Sequence, residues 1–456
     1  MKKLEILLFL TLPRKCGRGF IPSSISFSHL NKQTNTFYDE YGGIIMPTAA
    51  ELFRQKVSGS KDPRMKSEGE FNVQYPSGFL TLDFANGCKI NVVPEDGRAP
   101  FSYYSVGITD GAAFELVGKP GCGKTTLAVQ IAARITERFE WSSIFHDDIE
   151  GGVSEVRKRV LTGWTEDMME DKYRYRNTGI TSENFYESIT TLKEVKLANK
   201  DSIMYDTGVC DYKGHPVMKM QPDVYILDSA AMLIPEKFSE EEELSGSMSS
   251  TAAAKSNTIS FKRIIPQLKA CNIILIMINH INDDVSFMPK KPDLAWLKVG
   301  ETIPGGRIFK YLPNLIIRLD ENTKLKEDKD LGINGIIVDA VICKSRTGRA
   351  GRVCQLVFDY DRGFDNDLSL YITLKANKLI NGAGAYFSLE GYPDLKFTQK
   401  GFVEKLHTDE EFAKAFRTVS LKYLTGMINT DDSLAFAQSA SKSVANDILA
   451  DLNNMA

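Results

Sequence analysis

Phe114-Glu115-Leu116-Val117-Gly118-Lys119-Pro120-Gly121-Cys122-Gly123-Lys124-Thr125-Thr126-Leu127-Ala128-Val129 is the stretch whose reading decides the fold. Gly118 to Thr125 fits G-x-x-x-x-G-K-[ST] in full, between an apolar run that reads as a strand and a run that reads as a helix. Strand, glycine turn and helix in that order make a phosphate cradle. The glycines let backbone N–H groups approach the phosphates, and the helix N-terminus adds positive potential. Lys124 is expected to reach the β- and γ-phosphates and Thr125 to ligate Mg²⁺, with Gly118, Lys119, Pro120, Gly121, Cys122, Gly123 and Thr126 completing the nucleotide site. Cys122 reads as a small filler within the loop.

Working outward, Val224-Tyr225-Ile226-Leu227-Asp228 is an apolar strand ending in a carboxylate, as a second Mg²⁺ partner requires. Ser229 follows it, so the group that activates water must lie elsewhere. Phe145-His146-Asp147-Asp148-Ile149-Glu150-Gly151-Gly152 ends another strand and offers four candidates, His146, Asp147, Asp148 and Glu150. Periodicity alone does not choose among them. The chain has no Asn-Lys-x-Asp guanine motif, which favours ATP over GTP.

The 456 residues allow two or three domains. Hydrophobic residues at 43% and charged residues at 25% place the chain among ordinary globular proteins. A net charge of −3 excludes a wholly basic nucleic-acid coat, so any DNA contact must come from local basic elements. The seven cysteines form no C-x-x-C pair and the five histidines show no zinc spacing, a pattern of reduced thiols in the cytoplasm. No run approaches the ~20 apolar residues of a membrane helix, so no membrane partner is expected. Leu4 to Leu12 after Lys2-Lys3 has some likeness to a secretory signal, but Glu5 interrupts it and no small-residue cleavage site follows.

Residues 1–45 read as a loose or non-native extension, which leaves Met46 as a candidate authentic start. Residues 46–74 read as a better-formed, partly helical segment, with capping-box spacing at Thr48-Ala49-Ala50-Glu51. From 75 to 370, apolar runs alternate with amphipathic stretches, as in an α/β parallel sheet. The candidate strands are 114–117, 143–146, 224–227, 273–278 and 315–319, followed by a pair at 338–342 and 353–358. Phe412, Phe416, Val419 and Tyr423 fall at helical spacing in a small module at 371–428, and 429–456 reads as a mobile tail.

Several of these elements resemble the RecA family of recombination ATPases. Asp148-Ile149-Glu150-Gly151, with Arg157 beyond it, is similar to the D-x-E-G element of strand-exchange relatives, in which the Glu is the catalytic base. Tyr75 to Asp83 is similar to the lead-in before the phosphate loop. Ile276-Met277-Ile278-Asn279-His280 matches the strand whose end senses the γ-phosphate. His280 stands where cellular members carry Gln, which leans toward phage UvsX-type recombinases. Ile342-Cys343-Lys344-Ser345-Arg346 resembles the cation pair that reaches a neighbour's ATP, here with Arg as its second member. The resemblance also suggests Tyr360 beside adenine, and it includes Gly382-Ala383-Gly384-Ala385-Tyr386-Phe387. It covers about residues 46–428 and little of 164–220.

The resemblance implies an α/β fold: a RecA-type P-loop ATPase core with a mainly parallel central sheet, a short N-terminal helical oligomerisation segment and a small C-terminal α+β domain. It selects Glu150 as base, and makes Lys124, His280, Lys344 and Arg346 its catalytic partners. It also turns a basic, aromatic stretch into a DNA element. Lys255 and Lys262 share a helix face, Phe287 and Trp296 can wedge or stack between bases, and Gly305-Gly306-Arg307 can approach phosphate. No base-edge code is visible, so binding should be largely independent of sequence. The expected protein forms helical filaments on single-stranded DNA, engages double-stranded DNA for homologous pairing and strand exchange, and meets single-strand-binding and mediator proteins. A ring helicase on the same core, or a non-hydrolysing mediator, is the alternative.

Overall fold

The computed structural model describes residues 37–38, 44–45, 71–239, 247–283, 294–306, 308–328 and 333–429. Residues 10–72 form a unit of their own, in which Phe37–Tyr38 pairs antiparallel with Ile44–Ile45. The expectations at 46–70 and 430–456 lie outside the described residues.

Nine strands pair in one sheet. In chain order they are β1 (Ala113–Gly118), β2 (Ile144–Asp148), β3 (Tyr173–Arg176), β4 (Asp223–Asp228), β5 (Ile273–His280), β6 (Leu315–Asp328), β7 (Ile333–Ser345), β8 (Val353–Asp359) and β9 (Gly363–Asp365). They lie side by side as β9-β8-β7-β6-β1-β5-β4-β2-β3. From β6 to β3 every pairing is parallel, and from β6 to β9 every pairing is antiparallel. The parallel strands are covered on both faces, which is why β1, β4 and β5 are near-continuous apolar runs instead of alternating ones.

Helix α1 (Leu80–Ala85) precedes the sheet, and α2 (Lys124–Thr136) follows β1. Helix α2 is buried on nearly all sides, through Leu127, Ala128, Val129, Ile131, Ala132 and Ile135. The segment 164–220, silent in the sequence, supplies the sheet's outer edge. It carries β3 and then α3 (Ser182–Ala198), opened by a Thr181–Asn184 capping box. Phe185, Ile189 and Leu192 of α3 pack with Phe261, Ile264 and Leu268 of α4 (Ser247–Cys271) against β4 and β5.

Helix α5 (Asn366–Ala376) runs across the 370/371 boundary expected from the sequence. Its Leu368, Tyr371 and Leu374 join Phe402, Phe412 and Phe416 in one cluster with Phe84, Ile337 and Val357 of the core. The C-terminal three-stranded sheet (380–397) and the helix Glu410–Asn429 therefore share apolar packing with the nine-stranded core.

Lys344, Arg346, Arg349 and Arg352 crowd the turn between β7 and β8, a place where cations ordinarily face solvent. Arg352 is instead buried, and its Nη1 donates to the carbonyls of Phe84 (3.3 Å), Ala85 (3.3 Å) and Gly87 (2.9 Å). A helix end leaves carbonyls without partners, and this guanidinium satisfies those of α1. Arg352→Met is therefore expected to lower stability by about 2 kcal/mol, since buried carbonyls lose a charged donor. Urea unfolding checks this; an unchanged midpoint would contradict it.

Candidate active site and nucleic-acid interface

The phosphate loop joins β1 to α2. At Gly118 a Cβ would lie 2.5 Å from the Leu319 carbonyl oxygen, and at Gly123 (φ +84°) 2.8 Å from the Phe364 ring. Neither position admits a side chain. Lys124 is buried and folds back over the loop, with Nζ donating to the carbonyls of Gly118 and Lys119, each at 3.0 Å. Cys122 is buried and its thiol reaches the Lys119 carbonyl at 2.9 Å, and burial pushes that thiol up. Lys119 and Pro120 are exposed, and Thr126 is half-buried.

Thr125 Oγ1 donates to Asp228 Oδ2 at 2.5 Å. Burial pushes the Asp228 carboxyl up to about 6; the Thr125 hydrogen bond opposes this, while the charges of Glu150 and Asp148 add to it. Crowded acidic oxygens beside a hydroxyl suit a divalent cation. Mg²⁺ takes few protein oxygens and completes its shell with phosphate and water, so the Thr125–Asp228 pair fits it.

The four rivals at the end of β2 have separate fates. His146 is buried with Nδ1 2.8 Å from the Tyr173 hydroxyl, and burial lowers its pKa to about 4. Asp147 is held by Arg176 at 2.9 and 2.6 Å and by the Tyr225 hydroxyl at 2.7 Å. Asp148 is buried and accepts from the Gly151 amide at 2.8 Å and the Val153 amide at 3.2 Å. Of the four, Glu150 alone is exposed, and its Oε1 shares a 2.6 Å hydrogen bond with His280 Nε2.

Next to His280, buried Asn279 joins three elements. Its Oδ1 accepts from the His280 amide at 2.9 Å, and its Nδ2 donates to Glu115 Oε1 at 3.1 Å and to the Pro304 carbonyl at 3.3 Å. Pro304 opens the glycine pair Gly305 (φ +87°) and Gly306 (φ +92°), whose backbone favours glycine. Both arms of the segment 281–306 are tied to the phosphate side. Lys119 Nζ lies 3.0 Å from Asp283, and Asn282–Asp283 pairs antiparallel with Glu301–Thr302. Glu301 is buried in a two-pronged pair with Arg318 of β6 at 2.6 and 2.9 Å.

Of the residues expected to meet DNA, Lys262 of α4 is exposed and Lys255 lies on the same helix. The Lys255 side chain, Phe287 and Arg307 lie outside the described residues. Trp296 departs from its expected role as a free wedge: it is half-buried against the cluster of Val117, Ile281, Leu297, Ile303 and Ile316. Its side chain is engaged in packing because Arg318, by donating to its carbonyl at 3.0 Å and holding Glu301, draws this arm onto the sheet.

Lys344 and Arg346 sit away from this chain's own phosphate loop. Lys344 pairs in register with Ile316 and Ile316 with Glu115, whereas Gly118 pairs with Leu319. Three residues along a strand separate the two levels by about 10 Å. Lys344 Nζ donates to the Tyr311 carbonyl at 2.6 Å, and Arg346 is exposed. Tyr360 is 44% exposed and meets Phe358 edge-on, and Phe358 stacks on Phe364, the ring beneath Gly123.

Residues that the sequence reading passed over include Tyr175, Arg176, Tyr225, Glu301 and Arg318. Only Arg318 carried a signal, a cation inside an apolar run that must be buried and so needs a partner.

No protein-family model matches the chain. Among curated proteins it is similar to Protein RecA of Mycoplasmopsis pulmonis, 20% identical over 336 residues, covering 73% of this chain and 85% of that protein. Protein RecA of Aquifex pyrophilus is 23% identical over 316 residues, with 69% and 72% covered. That of Staphylococcus epidermidis is 22% identical over 288 residues, with 62% and 69% covered. These similarities support a RecA-family member. Among the described residues no helix is long and apolar enough to cross a membrane.

Glu115 gives this site a pH signature. It is fully buried, and burial pushes its carboxyl from 4.5 up to about 8, against the opposing Asn279 hydrogen bond and Lys344 charge. The native state then keeps a proton that the unfolded chain has lost, so stability falls as pH rises from about 4.5 to about 8, by up to ~1.4 kcal/mol per unit. Glu115→Gln is expected to remove this slope, so its stability relative to wild type rises with pH in urea titrations. A difference independent of pH would contradict a neutral Glu115.

Proposed function

We propose that this chain is a DNA-dependent ATPase that polymerises along single-stranded DNA and catalyses homologous pairing and strand exchange. The observation that carries the reading is one bonded network at the carboxyl ends of the central strands. Glu150 meets His280, Asn279 beside it meets Pro304, and Lys119 of the phosphate loop meets Asp283. Nucleotide chemistry and the segment 281–306 are thereby in direct contact.

In this reading ATP lies in the loop 118–125, with Lys124 at its β- and γ-phosphates and Tyr360 toward adenine. Mg²⁺ held by Thr125 and Asp228 would neutralise phosphate charge and orient the γ-phosphate. Glu150 takes the proton of the attacking water, and positioned general bases are worth about 10²–10⁴-fold in rate. His280 holds Glu150 before the γ-phosphate arrives and senses its loss afterwards. Lys255, Lys262, Gly305, Gly306 and Arg307 track the DNA backbone, and the packing of Trp296 leaves the wedge role to Phe287 in this reading. Lys344 and Arg346 act on a neighbour's γ-phosphate, so turnover requires subunits packed along DNA. The Asn279-His280 ending favours a phage UvsX-type member working in the host cytoplasm with single-strand-binding and mediator partners.

The test is strand exchange between a single-stranded circle and a homologous duplex, read beside filaments in electron microscopy. Wild type is expected to form joint molecules on filaments. Lys344→Ala with Arg346→Ala is expected to bind ATP yet lose at least about tenfold of its DNA-stimulated turnover. Unchanged stimulation would reject action in trans, and rings without joint molecules would favour a helicase.

A further inference from the structure

The turn that presents Glu150 is short, rich in glycine and exposed, so something must fix the carboxylate. The Ile149 amide donates to the Asp228 carbonyl at 2.5 Å, which ties the turn to β4. Beyond it the chain is held by Asp148, whose Oδ1 accepts from Gly151 and whose Oδ2 accepts from Val153. A carboxylate turns about its own side-chain bonds unless both oxygens are held. The second hold on Oδ2 comes from another strand: the Tyr175 hydroxyl of β3 donates to it at 2.8 Å, a shorter contact than the 3.2 Å to Val153.

Tyr175 is itself clamped. Lys158 Nζ stands 3.7 Å from its ring centroid, and the His146 ring meets it edge-on at 5.4 Å. Lys158 is buried and paired with Glu155 at 2.7 Å, so its position is set as well. Burial and the Asp148 carboxylate hold the Tyr175 phenol well above its ordinary range, which keeps it a donor at every working pH.

We infer that Tyr175 is a positioning residue for hydrolysis, acting through Asp148 to hold the 149–153 turn and hence the Glu150 carboxylate at the reacting water. The inference rests on Glu150 being the base. It assigns a role to the segment 164–220: β3 at the sheet's edge is the buttress of the catalytic turn.

Tyr175→Phe removes one oxygen and leaves the ring beneath Lys158. A misplacement of about 1 Å can cost up to ~10²-fold, so partial release of the turn is expected to lower kcat about tenfold. KM for ATP should change less than about twofold, because the phosphate loop is untouched. The decisive comparison adds Tyr175→Phe to Glu150→Gln, with saturating single-stranded DNA. With no base left to position, the residual rate of Glu150→Gln should not fall further. Asp148→Asn, which offers Tyr175 no carboxylate, should repeat the same pattern. Unchanged kcat in Tyr175→Phe, or equal losses in both backgrounds, overturns the positioning role while leaving the ATPase reading intact. Full turnover in Glu150→Gln overturns the base assignment and the inference with it.

Discussion

Parallel pairing sets where chemistry can occur in this chain. Gly118 of β1 is in register with His280 of β5, Ile278 of β5 with Asp228 of β4, and Asp228 with Asp148 of β2. Four strands thus end within two residues of one another, and their ends carry the phosphate loop, His280, the Asp228 carboxylate and the turn with Glu150. A one-residue slip would turn each side chain to the opposite face. The Thr125–Asp228 and Glu150–His280 hydrogen bonds exist because that register is held by a sheet centre with almost no exposed surface.

Charge placement then divides the polar groups at this edge by role. Asp147 is neutralised by Arg176, His146 is driven neutral by burial, and Asp148 is spent on backbone amides. Glu150 is left facing outward. On the other side, two ion pairs hold the arms of 281–306 with unequal strength. Lys119–Asp283 is exposed, so it adds little stability and is free to exchange partners when phosphate enters. Arg318–Glu301 is buried, and losing either member would strand a charge in the protein interior. One arm is thus fixed and the other adjustable, which suits a segment whose position answers to the nucleotide.

Seven of the nine sheet strands and the phosphate loop were legible in the sequence because their signals are local, apolar runs and eight consecutive residues, whereas the edge strands β3 and β9 are short and carry no such run. The choice among His146, Asp147, Asp148 and Glu150 was not. It is made by Tyr173, Arg176 and Tyr225, which lie 27 to 78 residues away and are delivered by folding. Resemblance pointed to Glu150 where spacing had left four groups open. The role of Arg352 is illegible for a related reason, since a cation next to a turn looks solvated until α1 brings its carbonyls within reach. Trp296 looked like a free aromatic until the Arg318–Glu301 pair drew its arm inward.

In the proposed function, nucleotide turnover and DNA contact are one event at the carboxyl ends of the central strands. ATP hydrolysis at a single fixed salt concentration, with and without single-stranded DNA, tests this directly, with Lys124→Ala as the control for the phosphate loop. The account requires DNA to raise wild-type turnover at least several-fold, with no turnover in the control. Wild-type turnover indifferent to DNA would leave the phosphate site standing, and would contradict the coupling of that site to the segment 281–306.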